Sequence, residues 1–120
     1  MTMLPEARWR AGLQEGRLLL QRSRSSGTVI FPPRLMEPGT GEEDLEWIDA
    51  SGMGTIHAVT VVHPRPPAKP YDVVLIDLDE HVRLMSRIEG QVPEAIQIGQ
   101  RVRARIVKDQ DQPLLVFEVA

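Results

Sequence analysis

The chain has no cysteine among its 120 residues, which excludes disulfide bonds and any metal site built on thiolates. Aromatic residues are also scarce, because the sequence contains only five. No apolar stretch approaches the ~20 residues that a membrane-spanning helix needs. Near the N-terminus, Glu6, Arg8 and Arg10 interrupt what would be the apolar core of a signal peptide. We therefore expect a cytoplasmic protein without a membrane segment.

The formal net charge of −3 is unevenly distributed along the chain. Residues 1–36 carry six arginines against two glutamates, whereas residues 37–50 carry six acidic residues and no basic one. Such an asymmetry favours a protein surface or a compact polyanion as the binding partner over an extended nucleic-acid backbone.

Two short segments have the spacing of a zinc ribbon but lack its ligands. The segments Ser23–Gly27 and Glu37–Gly41 would be two C-x-x-C-G knuckles, ten residues apart, if cysteine stood at four positions. Hydroxyl groups are poor zinc ligands at neutral pH, and one carboxylate supplies a single ligand, so we predict that no metal cofactor is bound. The four degenerate ligand positions are Ser23, Ser26, Glu37 and Thr40.

Further segments surround the knuckles in a fixed order. These segments are Arg8–Leu19, Phe31–Arg34, Gly54–Pro64, Pro70–Glu80 and Ile98–Gly99. With the knuckles, they resemble the thiolase-associated family in which a rubredoxin-like zinc ribbon precedes an OB-fold (domain of unknown function 35). The resemblance covers nearly the whole chain. It implies a non-catalytic accessory subunit that binds a thiolase-like or acyltransferase enzyme and helps to hold its acyl-CoA substrate.

The hydrophobic pattern predicts a mainly β protein with one N-terminal helix. Pro5 can begin a helix that ends before Gly16, and Gly52 and Gly54 predict a bend or bulge. Period-two alternation begins at Leu45. It predicts strands near 45–51, 54–63, 71–79, 82–88, 101–108 and 114–119, with a helical turn within 92–99. We predict a helix and a degenerate, metal-free ribbon in residues 1–44, followed by a five-stranded OB-fold barrel in residues 45–120.

Acyl-CoA needs cations for its phosphates and an apolar channel for its pantetheine arm. The candidate CoA-binding residues are Arg22, Arg24, Phe31, Pro33, Arg34 and His63, and the candidate partner contacts are Trp9 and Leu13, which share one helix face. Each residue also has a simpler interpretation, since Phe31 can belong to the core, the arginines can be solvated and His63 can cap the following loop. A homo-oligomer is left open.

OB barrels also bind single-stranded nucleic acid, which is the alternative function. Arg101, Arg103 and Arg105 would share one strand face and could track a phosphate backbone. Asp109 and Asp111 would lie in a loop that commonly frames the binding groove, and the sequence pI of about 5.6 opposes binding to a polyanion. Nucleic acid is therefore the less favoured partner.

No catalytic residue is predicted. Asp77, Asp79 and Glu80 lie near a strand end, and their alternation with apolar residues is explained by a solvated strand face. His57 and His63 are six residues apart on one predicted strand, roughly 20 Å at ~3.3 Å per residue, so they cannot share a metal ion.

Overall fold

The computed structural model describes residues 4–36 and 43–120, and within them it contains one α-helix, one short 3-10 helix (Pro93–Ala95) and eight strands. The helix α1 spans Pro5–Gln14, and the strands are β1 Leu19–Ser23, β2 Val29–Ile30, β3 Leu45–Asp49, β4 Met53–Val62, β5 Tyr71–Leu78, β6 Arg83–Ser86, β7 Arg101–Asp109 and β8 Gln112–Val119. In these described ranges, no helix has the length and apolar character needed to cross a membrane.

The strands form two antiparallel sheets, in the orders β2-β1-β3 and β6-β5-β4-β7-β8. The second sheet curls into a barrel. The barrel closes just after β6, where Ile88 forms a bridge with Phe117 of β8. The Phe117 N–H also donates to the Arg87 carbonyl, at 3.0 Å. The 3-10 helix lies between the third and fourth barrel strands. These features confirm the predicted fold class, a mainly β chain with a five-stranded OB barrel after an N-terminal helix.

The long strand β4 bends at a bulge. The register with β5 shifts between Ile56 and Ala58, so His57 is the extra residue. The bulge therefore lies at His57, a few residues after Gly52 and Gly54, from which a bend or bulge is predicted. Gly54 serves a different purpose, because a Cβ there would lie 2.7 Å from the Ile76 side chain and 2.8 Å from the Asp77 carbonyl oxygen. The glycine allows β4 and β5 to approach closely.

The barrel core follows the predicted alternation. Ile56, Ile76, Val102 and Phe117 are almost fully buried, and neighbouring strand residues face outward. Leu20 of β1 packs into the same core cluster, so the N-terminal sheet and the barrel share apolar contacts.

The strand β3 belongs to the N-terminal sheet. It pairs with β1 along its whole length, from Leu19 opposite Asp49 to Ser23 opposite Leu45. The sequence pattern had grouped this strand with the barrel strands, whereas the barrel sheet begins at β4. The division of the chain into residues 1–44 and 45–120 remains a prediction.

The helix α1 packs on β1 and β8. Gly12 and Leu13 are its buried residues. A Cβ at Gly12 would lie 2.7 Å from the Leu19 Cδ1 atom, so this glycine brings the helix close to β1. Helix stability here comes from packing, because α1 is too short to be stable alone in water.

Candidate functional site

The oppositely charged segments of the chain neutralise each other across β1 and β3. Arg17 donates two hydrogen bonds to the Asp49 carboxylate, at 2.8 and 3.0 Å, and these bonds hold the pKa of Asp49 below its ordinary value. Arg22 and Arg24 both reach Glu46, at 2.8 and 3.4 Å. Two of the arginines predicted to bind phosphate therefore already share one carboxylate.

A buried glutamine holds the backbone of Arg34. The Gln21 side chain is buried, its Nε2 donates to the Arg34 carbonyl at 2.7 Å, and the Arg34 N–H donates to its Oε1 at 2.6 Å. Pro33 is half-buried, while the Arg34 side chain is exposed and makes no ion pair within the described ranges. This pair of bonds, here called the Gln21 clamp, fixes the backbone and presents the guanidinium to solvent.

Three of the predicted site residues meet in an apolar groove beside α1. The rings of Trp9 and Phe31 are 5.7 Å apart between centroids and tilted by 58°, and Leu13 lies buried on the same helix face. Met85 of β6 lines the groove, although 70% of it is exposed, as does Leu115 of β8. The groove has a volume of about 230 Å³, and the Trp9 Nε1 atom is buried, with no hydrogen-bond acceptor among the residues that the structure describes.

A second cavity of about 430 Å³ continues along the helix. It shares Leu13 and Pro113 with the groove, so the two adjoin between α1 and the barrel, and together they are here called the α1 trough. Ile106 contributes an apolar wall. The first part has one cation, Arg10, and the second has both a cation, Lys108, and a carboxylate, Asp111. The combination of an apolar floor with charged groups at the edge suits an amphipathic ligand or a protein segment.

The barrel residues of this trough were missed by the sequence analysis. Met85 lies between Arg83 and Arg87 on the outer face of its strand, where an exposed apolar side chain breaks the alternation. That break is a signal in the sequence itself. Lys108 and Leu115 carry no comparable local signal, because only the packing of α1 on the barrel brings them to the trough.

His63 lies apart from the α1 trough. It follows the last residue of β4, is exposed, and lines neither part of the trough. Trp9, Leu13 and Phe31 therefore line one groove, and Pro33 follows Phe31 by two residues in the chain. His63 lies outside this group.

Hydrogen bonds surround Ser23, the first of the four predicted degenerate ligand positions. The Ser23 side chain is fully buried, and its Oγ accepts from the Ser26 N–H at 3.2 Å and donates to Asp44 Oδ1 at 3.3 Å. The Ser25 N–H donates to Asp44 Oδ2 at 2.7 Å. Burial raises the pKa of Asp44, but hydrogen bonds from Ser25 and Ser23 outweigh this effect and hold the pKa below its ordinary value. We call these four residues the Ser23–Asp44 cluster.

The second pair of ligand positions, Glu37 and Thr40, lies outside the described residues. In the part of the chain that is described, no group of three or more His, Cys, Asp or Glu side chains is arranged to hold a metal ion.

Exposed arginines of the barrel, including Arg101 of the face considered for nucleic acid, have acidic partners. Arg83 donates to Asp77 at 2.7 Å, and Arg101 donates to Asp79 at 2.8 and 2.9 Å. These hydrogen bonds hold the pKa of both carboxyl groups below the ordinary value, although burial opposes the shift. Arg105 shares the exposed face of β7 and has no ion pair among the described residues. The two acids thus reduce the positive potential of this face.

Comparison with known proteins identifies the family. The family described as "ChsH2, C-terminal OB-fold domain" matches residues 47–107. A "DUF35 domain-containing scaffold protein" of Methanocaldococcus jannaschii is 32% identical over 117 residues, which cover 91% of this chain and 83% of that protein. A solved structure described as "Ltp2-ChsH2(DUF35) aldolase" superposes with a TM-score of 0.86 at 30% identity, covering 98% of this chain and 96% of that one.

A longer relative contains a similar region. The "Probable enoyl-CoA hydratase alpha subunit" of Thermomonospora curvata is 34% identical over 97 residues, 78% of this chain. The chain spans only 30% of the length of that relative. The match to the OB-fold family over half of the sequence, together with the match to the scaffold protein over 91% of this chain, settles the classification. This chain belongs to the DUF35 family and carries an OB-fold domain of the ChsH2 C-terminal type.

Proposed function

We propose that this chain is a non-catalytic accessory subunit that binds a thiolase-superfamily or acyltransferase enzyme and helps to hold its acyl-CoA substrate. The observation that carries the proposal is the likeness, over 98% of the chain, to a DUF35 chain whose description joins ChsH2 to an aldolase. The names of the two curated relatives, a scaffold protein and an enoyl-CoA hydratase subunit, support the same role.

The α1 trough is the proposed partner surface. Trp9, Leu13 and Phe31 supply its apolar floor, and Met85 leaves most of its side chain open to solvent. Concave, mostly apolar surfaces with a few polar groups at the edge are the usual sites at which ligands bind. A large aromatic residue at the centre of such a patch is typical of the residues that dominate binding energy.

Arg34 is the proposed first contact for the CoA phosphates. Its guanidinium is exposed, makes no ion pair among the described residues, and is carried on a backbone that the Gln21 clamp holds. Arginine binds phosphate through two parallel hydrogen bonds. Arg22 and Arg24 are secondary contacts, since a phosphate would compete with Glu46 for them.

Pro33 borders this cation as part of the proposed channel wall. His63 is proposed to contact a part of the ligand that extends beyond the trough, because it lines neither part of that trough.

Native co-purification followed by reconstitution tests the proposal. A thiolase-superfamily chain that co-purifies with the tagged protein is expressed separately and mixed with it, and light scattering after size exclusion measures the complex. We expect a stoichiometric complex with the unmodified chain. Met85→Asp should abolish it, whereas Ile98→Asp should not, because Ile98 is equally exposed (67% against 70%) but lies outside the trough. Failure of the unmodified chain to form a complex would overturn the accessory role.

A titration separates the proposed ligand from the alternative one. Acyl-CoA is titrated into the complex and single-stranded DNA into the free chain, at two salt concentrations. We expect a response to acyl-CoA that Arg34→Ala weakens. Salt-sensitive binding of DNA with no response to acyl-CoA would instead establish the nucleic-acid function.

A further inference from the structure

We propose that the Ser23–Asp44 cluster takes the place of a metal ion as the staple of the ribbon, so that the sheet β2-β1-β3 holds together without metal. This inference does not depend on the proposed function. A small unit of turns and short strands buries too little apolar surface to be stable alone, and usually needs a disulfide, a metal or an equivalent cross-link. The chain has no cysteine, so the cross-link must be of another kind.

The first part of the staple closes the turn between β1 and β2. The Ser23 N–H donates to the Thr28 carbonyl and the Gly27 N–H donates to the Ser23 carbonyl, both at 2.8 Å. Gly27 has a φ of +75°, a conformation that favours glycine. Inside this turn the buried Ser23 Oγ accepts from the Ser26 N–H at 3.2 Å. A hydroxyl oxygen therefore receives the backbone donor at the position where the spacing would place the first thiolate.

The second part of the staple connects the turn to a distant segment. Asp44 directly precedes β3, and its two carboxylate oxygens receive the Ser25 N–H at 2.7 Å and the Ser23 hydroxyl at 3.3 Å. The Arg24 N–H donates to the Asp44 carbonyl at 3.2 Å. Hydrogen bonds to an ionised carboxylate are roughly twice as strong as neutral ones. One ionised side chain thus joins two segments of the ribbon, as a bound metal ion does.

The Gln21 clamp provides a further attachment on β1, two residues before Ser23. It ties Arg34 to the strand by two bonds of 2.6 and 2.7 Å. The segments after Phe31 and before β3 are therefore each attached to β1 by polar side chains. The Gln21 bonds and the Ser23–Asp44 bond are part-buried, which partly shields them from competing water, whereas the Ser25–Asp44 bond is exposed.

Elemental analysis and amide hydrogen exchange of the full chain test the staple. We expect no stoichiometric metal, and no change in the unfolding midpoint with either a chelator or added Zn²⁺. Asp44→Ala should accelerate exchange of the Ser25 and Ser26 amides ~10-fold or more, while the Val102 amide in the barrel stays protected. The substitution removes the acceptor of the Ser25 N–H, and it removes the bond that orients the Ser23 hydroxyl, which is the acceptor of the Ser26 N–H. Asp109→Ala is the matched control, since the Asp109 side chain makes no hydrogen bond or ion pair among the described residues.

A milder variant keeps the test decisive if Asp44→Ala fails to fold. Asp44→Asn preserves the size and one acceptor, so we expect an intermediate acceleration of the same two amides. Stoichiometric metal in the purified chain, or a midpoint that falls with chelator, would overturn the inference. Unchanged exchange at Ser25 and Ser26 in both variants would overturn it as well.

Discussion

Replacement of Gln21 by alanine perturbs the ribbon at one well-defined contact. The side chain is 4% exposed, and its amide both accepts from and donates to the Arg34 backbone. Each hydrogen bond contributes about 1 kcal/mol net, and a part-buried donor or acceptor left without a partner costs about 1–3 kcal/mol. We expect Gln21→Ala to lower the free energy of unfolding by about 2–3 kcal/mol.

Urea denaturation followed by tryptophan fluorescence measures this loss. Trp47 lies directly opposite Gln21 in the β1–β3 pair, so its emission also reports local loosening of the ribbon. Gln91→Ala is the matched control, because Gln91 is exposed and makes no side-chain hydrogen bond among the described residues. Gln21→Glu should also be destabilising, since it keeps the acceptor for the Arg34 N–H but sets a carboxylate oxygen against the Arg34 carbonyl.

The reasoning fails if Gln21→Ala and Gln91→Ala have the same free energy of unfolding within experimental error. In that case water would hydrogen-bond the Arg34 backbone as well as the glutamine does. The clamp would then form in the folded protein without stabilising it.

Other positions give independent predictions. Gly54→Ala should lower the free energy of unfolding by about 1–3 kcal/mol in calorimetry, because the new methyl group meets β5 backbone, and a neutral result would show that the strands can separate. Phe117→Ala should cost about 3–5 kcal/mol by thermal circular dichroism, since the ring is fully buried. The Arg101 hydrogen bonds hold the Asp79 pKa below its ordinary value of 3.8, so the contribution of this pair to stability is complete above pH 3.8 and is lost as the pH falls below it. Asp79→Asn should therefore make the urea midpoint less dependent on pH below about pH 4, and an unchanged dependence would refute this. Arg34→Ala should weaken acyl-CoA binding to the complex about 10-fold in calorimetric titration, and equal affinity would remove Arg34 from the proposed site.

The barrel was predictable because its signals are local. Burial along β5 alternates from Asp72 to Leu78, as the period-two pattern requires. The sheet to which β3 belongs was not predictable in this way, because alternation within Leu45–Asp49 fits any neighbouring strand. Cross-strand ion pairs from Arg17 and Arg22 to the acids of β3 agree with its pairing to β1, and those pairs join residues 24 or more positions apart.

The candidate site was predictable only as separate residues. Helical spacing predicts that Trp9 and Leu13 share one face, and the proline-rich segment singles out Phe31. Their spacing in the sequence does not predict that all three line one groove, as they do in the structure. Their meeting depends on how α1 lies across β1 and β8, which is a property of tertiary packing. The same dependence on tertiary structure explains why His63, grouped with them by chemistry, lies elsewhere.

We expect the stability of the sheet β2-β1-β3 and the proposed binding of acyl-CoA to be coupled through one backbone segment. Phe31 packs on Trp9 at one end of this segment, and the Gln21 clamp holds Arg34 at the other. A cation on a fixed backbone loses less conformational entropy on binding a phosphate than one on a loose loop. Gln21→Ala should therefore weaken acyl-CoA binding although Gln21 is buried and carries no charge. Arg34→Ala should add little further loss in that background, because both changes remove the same positioned guanidinium. Full additivity of the two losses would mean that Arg34 binds equally well from an unclamped loop.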